Sequence, residues 1–338
     1  MSTLIGRRNH AGFLHIARFG QPVYDQFFML ANSQNCTIHT LDTLWLDLPR
    51  YTAVYVLVGP EGPLLIETGA GNTVEHYLPG LRDIGFEPRD IRHVLVSHIH
   101  LDHAGAAWWW ARQGAQIHVH EFGAQHLVDP SVLLKSATRI YQDRMDFLWG
   151  NVEPIASDQV TSVHDGDVID VCGLKITAIE TPGHAQHHHV YALTTVEHGR
   201  ICFTGDVAAM IMPEGDYLAV PTPPPEFDLE SWLTSLVRLE TMNFDVILPT
   251  HFGAYAGKPN VLFERLRKVL FKQAQFVRTL MAEDLTRDDI FERLVDWQRR
   301  VTIEQGTPEN LYDDYVVEHL MGMNVGGLMR YWKKKMSV

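Results

Sequence analysis

The sequence predicts an α/β protein in which two sheets pack together and helices cover their outer faces, giving four layers. Short β-branched and apolar runs are concentrated in two parts of the chain, 52–120 and 160–205, and each part is followed by a segment with helical spacing. No internal repeat of about 20 to 50 residues is visible, so the two halves are not units of a solenoid. Two sheets whose apolar faces meet, with helices outside, would bury both halves.

The first half begins with a hairpin. Residues 52–68 read TAVYVLVGPEGPLLIET, two apolar runs joined by a Gly-Pro-Glu-Gly-Pro turn. Apolar residues at helical spacing then predict a helix over 73–84, followed by a buried strand over 91–96. A further helix is predicted over 105–113 and a strand over 115–120, which completes a strand and helix alternation.

An insert at about 123–156 interrupts this alternation. It is polar and partly helical, and it contains the bulky residues Tyr141, Met145, Phe147 and Trp149. These residues form either a helix pair packed on the sheet or one wall of a pocket.

The second half returns to short strands and ends in helices. Strand signals are VIDV near 170, LKITAIE from 174, HHVYAL from 188, RICFTGD from 200 and VIL from 246. Asp228 is the predicted cap of a helix that runs to about Met242. From 256 onward the pattern is helical, so we predict one domain over 1–255 and a helical extension over 256–338.

Composition restricts the partners and the compartment. The 338 residues include 28 basic and 41 acidic ones, and the net charge of −13 repels nucleic acid and anionic membranes. Cys36, Cys172 and Cys202 form no C-x-x-C pair and no disulfide framework, which fits a reducing compartment. No run of about 20 apolar residues occurs. We therefore expect a soluble, cytoplasmic protein with a small-molecule substrate.

The most specific motif is SHIHLDHAG, which contains His98, His100, Asp102 and His103. It lies where a predicted buried strand gives way to a helix. Side chains two apart on extended backbone point the same way, so His98 and His100 can reach one cation. Asp102 and His103, at the bend, can reach a second. The motif therefore predicts a site for two metal ions.

Three further ligand candidates follow predicted strands and lie beside glycine. They are His184 in TPGHAQHH, Asp206 in FTGDV and His251 in LPTHFG. Glycine leaves the backbone free to turn a ligand inward, and imidazole and carboxylate are the ligands that such cations need.

The order of these residues resembles the metallo-β-lactamase superfamily, in which H-x-H-x-D-H is followed by His, Asp and His. The resemblance covers most of residues 40–255 and implies the four-layer αββα sandwich of that family, here with a C-terminal helical extension. It further implies that His98, His100 and His184 hold one metal and that Asp102, His103 and His251 hold the other, with Asp206 bridging. The all-His/Asp ligand set is similar to that of the glyoxalase II and lactonase branch of hydrolases.

The resemblance implies two divalent metal ions and hydrolysis by a metal-bridging hydroxide. Zinc is our first choice because imidazole and carboxylate suit it, and iron or manganese fits the same donor set. Asp102 is predicted to orient the hydroxide as well as to bind metal. His188, four residues after His184, is a candidate for either support of the ligands or contact with the substrate.

Specificity motifs of the known branches are missing. Quorum-signal lactonases carry Tyr three residues after the bridging Asp, where this chain has Ala209. Either another group supplies that contact, with Tyr217 and Tyr255 as candidates, or acyl-homoserine lactones are not the substrate. The glycine-cysteine-glycine-arginine segment of glyoxalase II is also absent.

Three functions therefore stay open: hydrolysis of a small ester, lactone or thioester, a phosphodiesterase, and a non-catalytic ligand sensor. The helical extension either covers the mouth of the site or forms a contact in a homodimer.

Overall fold

The structure is a computed structural model that describes residues 25–30, 36–195, 199–283, 285–318 and 320–337. The strands are β1 (Asp25–Leu30), β2 (Cys36–Asp42), β3 (Ala53–Gly59), β4 (Gly62–Ile66), β5 (His93–Leu95), β6 (Gln116–His120), β7 (Val160–Val163), β8 (Val168–Val171), β9 (Leu174–Glu180), β10 (His189–Thr195), β11 (Gly199–Gly205), β12 (Met210–Ile211), β13 (Leu218–Ala219) and β14 (Val246–Pro249). The α-helices are α1 (Val74–Asp83), α2 (Leu101–Ala104), α3 (Ala107–Arg112), α4 (Glu121–Val128), α5 (Ser131–Tyr141), α6 (Met145–Trp149), α7 (Leu229–Thr241), α8 (Pro259–Met281), α9 (Arg287–Glu304), α10 (Glu309–Tyr312) and α11 (Met321–Met336).

Two large sheets form the centre of the fold. The first has the order β1 to β7, antiparallel from β1 to β4 and parallel from β4 to β7. The second has the order β14-β11-β10-β9-β8, in which only the β11 and β14 pair is parallel. Strands β12 and β13 form a separate small ribbon.

The predicted four layers are confirmed. Alternation along β3 sends Tyr55 and Leu57 into the core between the sheets, where they meet residues such as Ile176 and Phe203. Val54 and Val56 point to the other face of the first sheet, under α1 and α3. A third core joins the outer face of the second sheet to α7, α8 and the later helices. The sandwich is therefore αββα.

The structure differs from the sequence prediction at several elements. The strands β1 and β2 were not predicted, and β2 has a half-exposed, partly polar pattern that hides its strand character. The helix predicted over 105–113 is α3, and a short helix that was not predicted, α2, ends just before it. The break between α2 and α3 follows from hydrogen bonds that the backbone N–H of Ala106 donates to the Gly69 carbonyl and the Thr68 hydroxyl, which pull the chain toward the loop after β4.

The predicted insert consists of α4, α5 and α6, and the described part of the chain after Pro259 is helical. The boundary predicted at 255 stays a prediction. Among the described residues, no helix has the length and apolarity needed to cross a bilayer.

Candidate metal centre

The seven predicted ligands converge at one edge of the sandwich. His98 and His100 follow β5, His184 follows β9, Asp206 follows β11 and His251 follows β14. These segments leave the carboxyl ends of their strands, and such ends are where open α/β sheets place ligand-binding side chains. Ligands that are far apart in the chain therefore meet because their strands end at the same edge of the sandwich.

Three imidazole nitrogens form the first group. Nδ1 of His100 lies 2.8 Å from Nε2 of His98 and 2.8 Å from Nε2 of His184. His98 and His184 are buried, and His100 is half-buried. The three nitrogens therefore lie close enough together to bind one cation.

The second group consists of Asp102, His103 and His251, with Asp206 between the two groups. Nε2 of His103 and Nε2 of His251 lie 2.9 and 3.3 Å from Oδ1 of Asp206, and Nε2 of His184 lies 3.2 Å from its Oδ2. Oδ2 of Asp102 is 3.4 Å from Nε2 of His251. Asp206 therefore faces ligands of both groups, one with each carboxylate oxygen.

Hydrogen bonds on the far side of the rings orient three of the histidines. Nδ1 of His184 donates to the Pro221 carbonyl at 3.0 Å, and Nδ1 of His251 donates to the Tyr51 carbonyl at 2.6 Å. Nδ1 of His103 lies 3.0 Å from Oε1 of Glu67. Carbonyl and carboxylate oxygens accept, so a neutral ring is left with its lone pair on Nε2, aimed into the cluster.

Burial and charge set the protonation of the cluster. Burial lowers the pKa of His98 and His100 well below the ordinary histidine value, and the neighbouring imidazoles lower it further. Burial alone would raise the pKa of Asp206, but His103, His184 and His251 outweigh it and hold that pKa well below its usual range. Neutral imidazoles and an ionised carboxylate are the forms that bind metal.

Two of the ligand histidines have a raised pKa. Burial alone would lower the pKa of His103 and of His251, but the neighbouring carboxylates, Asp206 first, raise it, to about 9 for His251. A cation that binds these rings therefore displaces their protons.

The donor set fits metal ions. Nε2 of His103 and Oδ1 of Asp206 are buried and close together, yet neither makes a hydrogen bond of acceptable geometry. Buried polar atoms are rarely left without such a partner, and a cation between them would satisfy both. Together with the converging lone pairs, this makes the His/Asp clusters suited to metal binding.

Glycine is required beside two of the ligands. Gly183 has a φ of +139°, and a Cβ at this position would lie 2.3 Å from Cα of Trp232. Gly205 has a φ of +50°, and its Cβ would lie 2.6 Å from Nε2 of His188. Any other residue would push His184 or Asp206 out of place, which explains the glycine that precedes each of them.

His188 lies behind the ligands. It is fully buried, its Nε2 accepts a hydrogen bond from the backbone N–H of Asp206 at 3.1 Å, and its Nδ1 lies 2.8 Å from the Thr181 hydroxyl. It does not line the cavity over the cluster. Of the two roles considered for His188, these contacts favour positioning of Asp206 over contact with a substrate.

We expect His188→Leu to lower kcat by about tenfold and to leave KM unchanged, because the backbone N–H of Asp206 loses its acceptor while the cavity wall is untouched. The free energy of unfolding should fall by about 1–3 kcal/mol. Steady-state kinetics and urea unfolding measure both quantities, with Thr181→Val as the matched control that removes only the outer contact. A raised KM at unchanged kcat would instead show that His188 contacts the substrate.

Three supporting residues were not predicted from the sequence. Glu67 is buried and accepts hydrogen bonds from the Thr250 hydroxyl at 3.0 Å and from the backbone N–H of Ser97 at 3.2 Å, in addition to facing His103. Ser97 precedes His98 and Thr250 precedes His251. One carboxylate thus connects the segments that carry three ligands.

A cavity of about 240 Å³ opens over the cluster. Its walls are mainly aromatic and aliphatic, and they come from the loop after β2, the insert, the proline-rich loop and the C-terminal helices: Trp45, Tyr51, Leu133, Ile140, Tyr141, Trp149, Met210, Pro221, Leu320 and Met323. The insert therefore contributes to a pocket wall through Tyr141 and Trp149. Leu320 and Met323 place part of the helical extension at the mouth.

The tyrosines of the cavity are not those that the sequence suggested. Tyr217 packs edge-on against Tyr312, with ring centroids 5.6 Å apart, and neither Tyr217 nor Tyr255 lines the cavity. Tyr51 and Tyr141 line it instead. They lie far from Asp206 in the sequence, so the spacing that places a tyrosine beside the ligand in lactonases gave no indication of them.

One polar pair lies on the wall of the cavity. Nε2 of His187 is 3.2 Å from Oε2 of Glu226, and Glu226 also accepts a hydrogen bond from the backbone N–H of Gln186 at 3.0 Å. The ring of His187 is 5.7 Å from that of His100, measured between centroids. The pair brings a buried N–H and a carboxylate close to the first group of ligands.

Comparison with known proteins agrees with this geometry. Residues 47–251 match the family model described as the metallo-beta-lactamase superfamily. A metallo-beta-lactamase fold-containing protein of Sulfurisphaera tokodaii is 25% identical over 241 residues, which are 70% of this chain and 85% of that protein. An N-acyl homoserine lactonase of a Bacillus species is 28% identical over 218 residues, 58% of this chain and 76% of the lactonase.

The fold comparison gives the same result. The crystal structure of a metallo-beta-lactamase family protein from Thermus thermophilus matches with a TM-score of 0.61 at 20% identity, over 85% of this chain and 90% of that one. The family model covers more than half of the chain and spans all seven ligands. The chain therefore belongs to the metallo-beta-lactamase superfamily.

Proposed function

We propose that this hydrolase holds two divalent cations and cleaves a small carbonyl ester, lactone or thioester. His98, His100 and His184 would hold one cation, Asp102, His103 and His251 the other, and Asp206 would bridge them. Zinc is the proposed metal because the donors are imidazole nitrogens and carboxylate oxygens.

The observation that carries the proposal is the position of the ligand cluster on the floor of an apolar cavity. Among the described residues that line this cavity, no lysine or arginine occurs. Apart from the ligands, its one carboxylate is Glu226, which is paired with His187. An acyl chain or a ring suits such walls, whereas a phosphodiester would find no cationic side chain there. This favours a carbonyl substrate over a phosphodiester.

When bound, the cations would supply a water of lowered pKa and a positive field for the oxygen that gains charge. The protein's own residues orient the water and hold the substrate. The side chain of Asp102 is 18% exposed while that of Asp206 is 3% exposed, so Asp102 is the ligand carboxylate placed to accept a hydrogen bond from a water in the cavity. Trp45, Tyr141 and Trp149 exclude bulk water and hold the apolar part of the substrate.

The similarity to an N-acyl homoserine lactonase supports a carbonyl substrate. The substrate need not be an N-acyl homoserine lactone, because this chain has Ala209 where lactonases carry a tyrosine. Tyr51 and Tyr141 line the cavity from other segments, so they are the tyrosines that we propose to contact the substrate.

The test is proton release by the zinc- or manganese-loaded protein with separate lactones, thioesters, simple esters and a phosphodiester. We expect turnover of one carbonyl class, loss of that turnover after chelation and its return when the metal is restored. Turnover of the phosphodiester alone would contradict the proposal. If none of these substrates is turned over although two metals are bound per chain, a ligand sensor is favoured.

A further inference from the structure

A second, larger cavity of about 1210 Å³ lies beside the metal centre. It is bounded by the loop that carries His184, by the start of α7 and by the last helix, α11. Pro225 and Glu226 line both this groove and the cavity over the metal ligands. The two spaces therefore adjoin at Pro225 and Glu226.

The groove is strongly cationic in an acidic protein. Its lining contains Arg287, Arg330, Lys333, Lys334 and Lys335. Against these five cations stand two carboxylates, Glu226 and Asp228. The whole chain has a net charge of −13, so this surface is opposite in sign to the average of the molecule.

The acidic residues of the groove are already engaged, whereas three cations are not. Glu226 pairs with His187, and Asp228 caps α7 by accepting from the backbone N–H of Ser231. Arg330, Lys333 and Lys334 make no ion pair with any residue that the structure describes, and all three are exposed. Their charge is therefore free to act on a ligand.

We propose that the groove binds the phosphate-bearing part of an acyl thioester of coenzyme A, whose acyl end lies over the metal centre. This inference rests on the proposed function and names the substrate class of that same site. The described residues that line the metal cavity are mainly apolar and include no lysine or arginine, whereas the adjoining groove is cationic. The matching molecule is therefore apolar at the reacting end and anionic at the other.

The proposed reaction is a simple hydrolysis. The oxygen of water bonds to the acyl carbon and the bond from that carbon to sulfur breaks. The thiol leaves with one proton, and the carboxylic acid releases the other to solvent. The groove takes no part in these bond changes and acts through binding alone.

The test compares two thioesters with the same scissile bond. Hexanoyl coenzyme A carries the phosphates, and S-hexanoyl-N-acetylcysteamine lacks them. We expect kcat/KM to be at least tenfold higher for the coenzyme A thioester. The triple variant Arg330→Gln/Lys333→Gln/Lys334→Gln should lose about tenfold on that substrate and less than twofold on the truncated one. Raising the salt concentration should weaken the preference of the natural chain.

The matched control is Lys258→Gln/Lys272→Gln/Arg300→Gln, which removes the same charge from exposed positions outside the groove. It should behave like the natural chain. Equal kcat/KM for the two thioesters, or equal losses in both triple variants, would overturn the assignment of the groove.

Binding measurements separate this inference from the proposed function. If neither thioester is hydrolysed but a lactone or simple ester is, the proposed function stands and the coenzyme A thioester is not the substrate. If no carbonyl substrate is hydrolysed, the proposed function fails, and titration calorimetry with S-methyl coenzyme A then tests the groove alone. Binding that is lost in the groove variant and kept in the control variant supports the groove. No binding overturns it, and tighter binding of a single-stranded oligonucleotide of equal charge overturns the choice of ligand.

Discussion

Asp206→Asn is expected to lower hydrolysis by about 10³-fold and to reduce the metal content below two per chain. The Asp206 carboxylate is 3% exposed and lies within 3.3 Å of a nitrogen of His103, His184 and His251. An amide keeps the shape of the side chain but removes the negative charge that faces both ligand groups. Histidines that bind metal are neutral, so two dipositive ions would lie close together with less negative charge between them.

Metal analysis of the purified variant and the rate on the best carbonyl substrate give the two readouts. Asp216→Asn is the matched control, because that side chain is 80% exposed and lies outside the cluster. A variant with two metals and the natural rate would show that Asp206 does not bridge.

The parts of the site that were predicted share a clear property. His98, His100, Asp102 and His103 form one short motif, and His184, Asp206 and His251 each follow a strand signal beside a glycine. Residue type, spacing and the ends of strands can all be recognised from the sequence. Because carboxyl ends of strands meet at one edge, the sequence alone predicts that these residues lie together.

The parts that were missed depend on tertiary contacts that leave no pattern. The groups that orient His184 and His251 are the backbone carbonyls of Pro221 and Tyr51, and every residue has a carbonyl. Tyr51 and Tyr141 reach the cavity from segments far apart in the chain. The cationic groove is a similar case. The segment RYWKKK alone fits a solvated helix end, and only the packing of α11 beside the loop of His184 shows that its cations line a groove.

The fold shows the same division. Turn residues predict the hairpin of β3 and β4, and the helical spacing of apolar residues predicts α1 and α7. The structure has these elements at the predicted positions. Strand β7 was missed because Val160–Val163 is short and half-exposed at the edge of its sheet. Such a strand is stabilised by pairing with β6 rather than by its own sequence.

Glu67 is the clearest example of a residue that only the structure reveals, and its replacement should have the second large effect. The side chain is buried, and its backbone has a φ of +68°, in the left-handed region that non-glycine residues rarely occupy. Its two oxygens accept from three donors: Nδ1 of His103, the Thr250 hydroxyl and the backbone N–H of Ser97. A backbone held in this rare conformation by three hydrogen bonds indicates a functional constraint.

We expect Glu67→Gln to weaken metal binding by about 10- to 100-fold and to lower the free energy of unfolding by about 1–3 kcal/mol. A glutamine has one acceptor oxygen, so its amide N–H₂ must face at least one of the three donors. Since His103 and Thr250 share Oε1, the amide oxygen can replace that atom, and the N–H₂ then faces the backbone N–H of Ser97. Two donors repel each other, which displaces the segment that carries His98, and His103 keeps only a neutral acceptor in place of a carboxylate. Competition with a chromogenic chelator measures the affinity, and urea unfolding of the metal-free protein measures the stability.

Thr250→Val provides the control for this experiment, because it removes one donor and leaves the carboxylate with His103 and Ser97. Its metal affinity should stay within a few fold of the natural value, since His103 keeps its partner. If Glu67→Gln bound metal as tightly as the natural chain, the charge and the hydrogen bonds of Glu67 would not control the position of the metal ligands. The geometry argues otherwise, because one buried carboxylate joins the segments of His98, His103 and His251, and a change there reaches ligands of both groups.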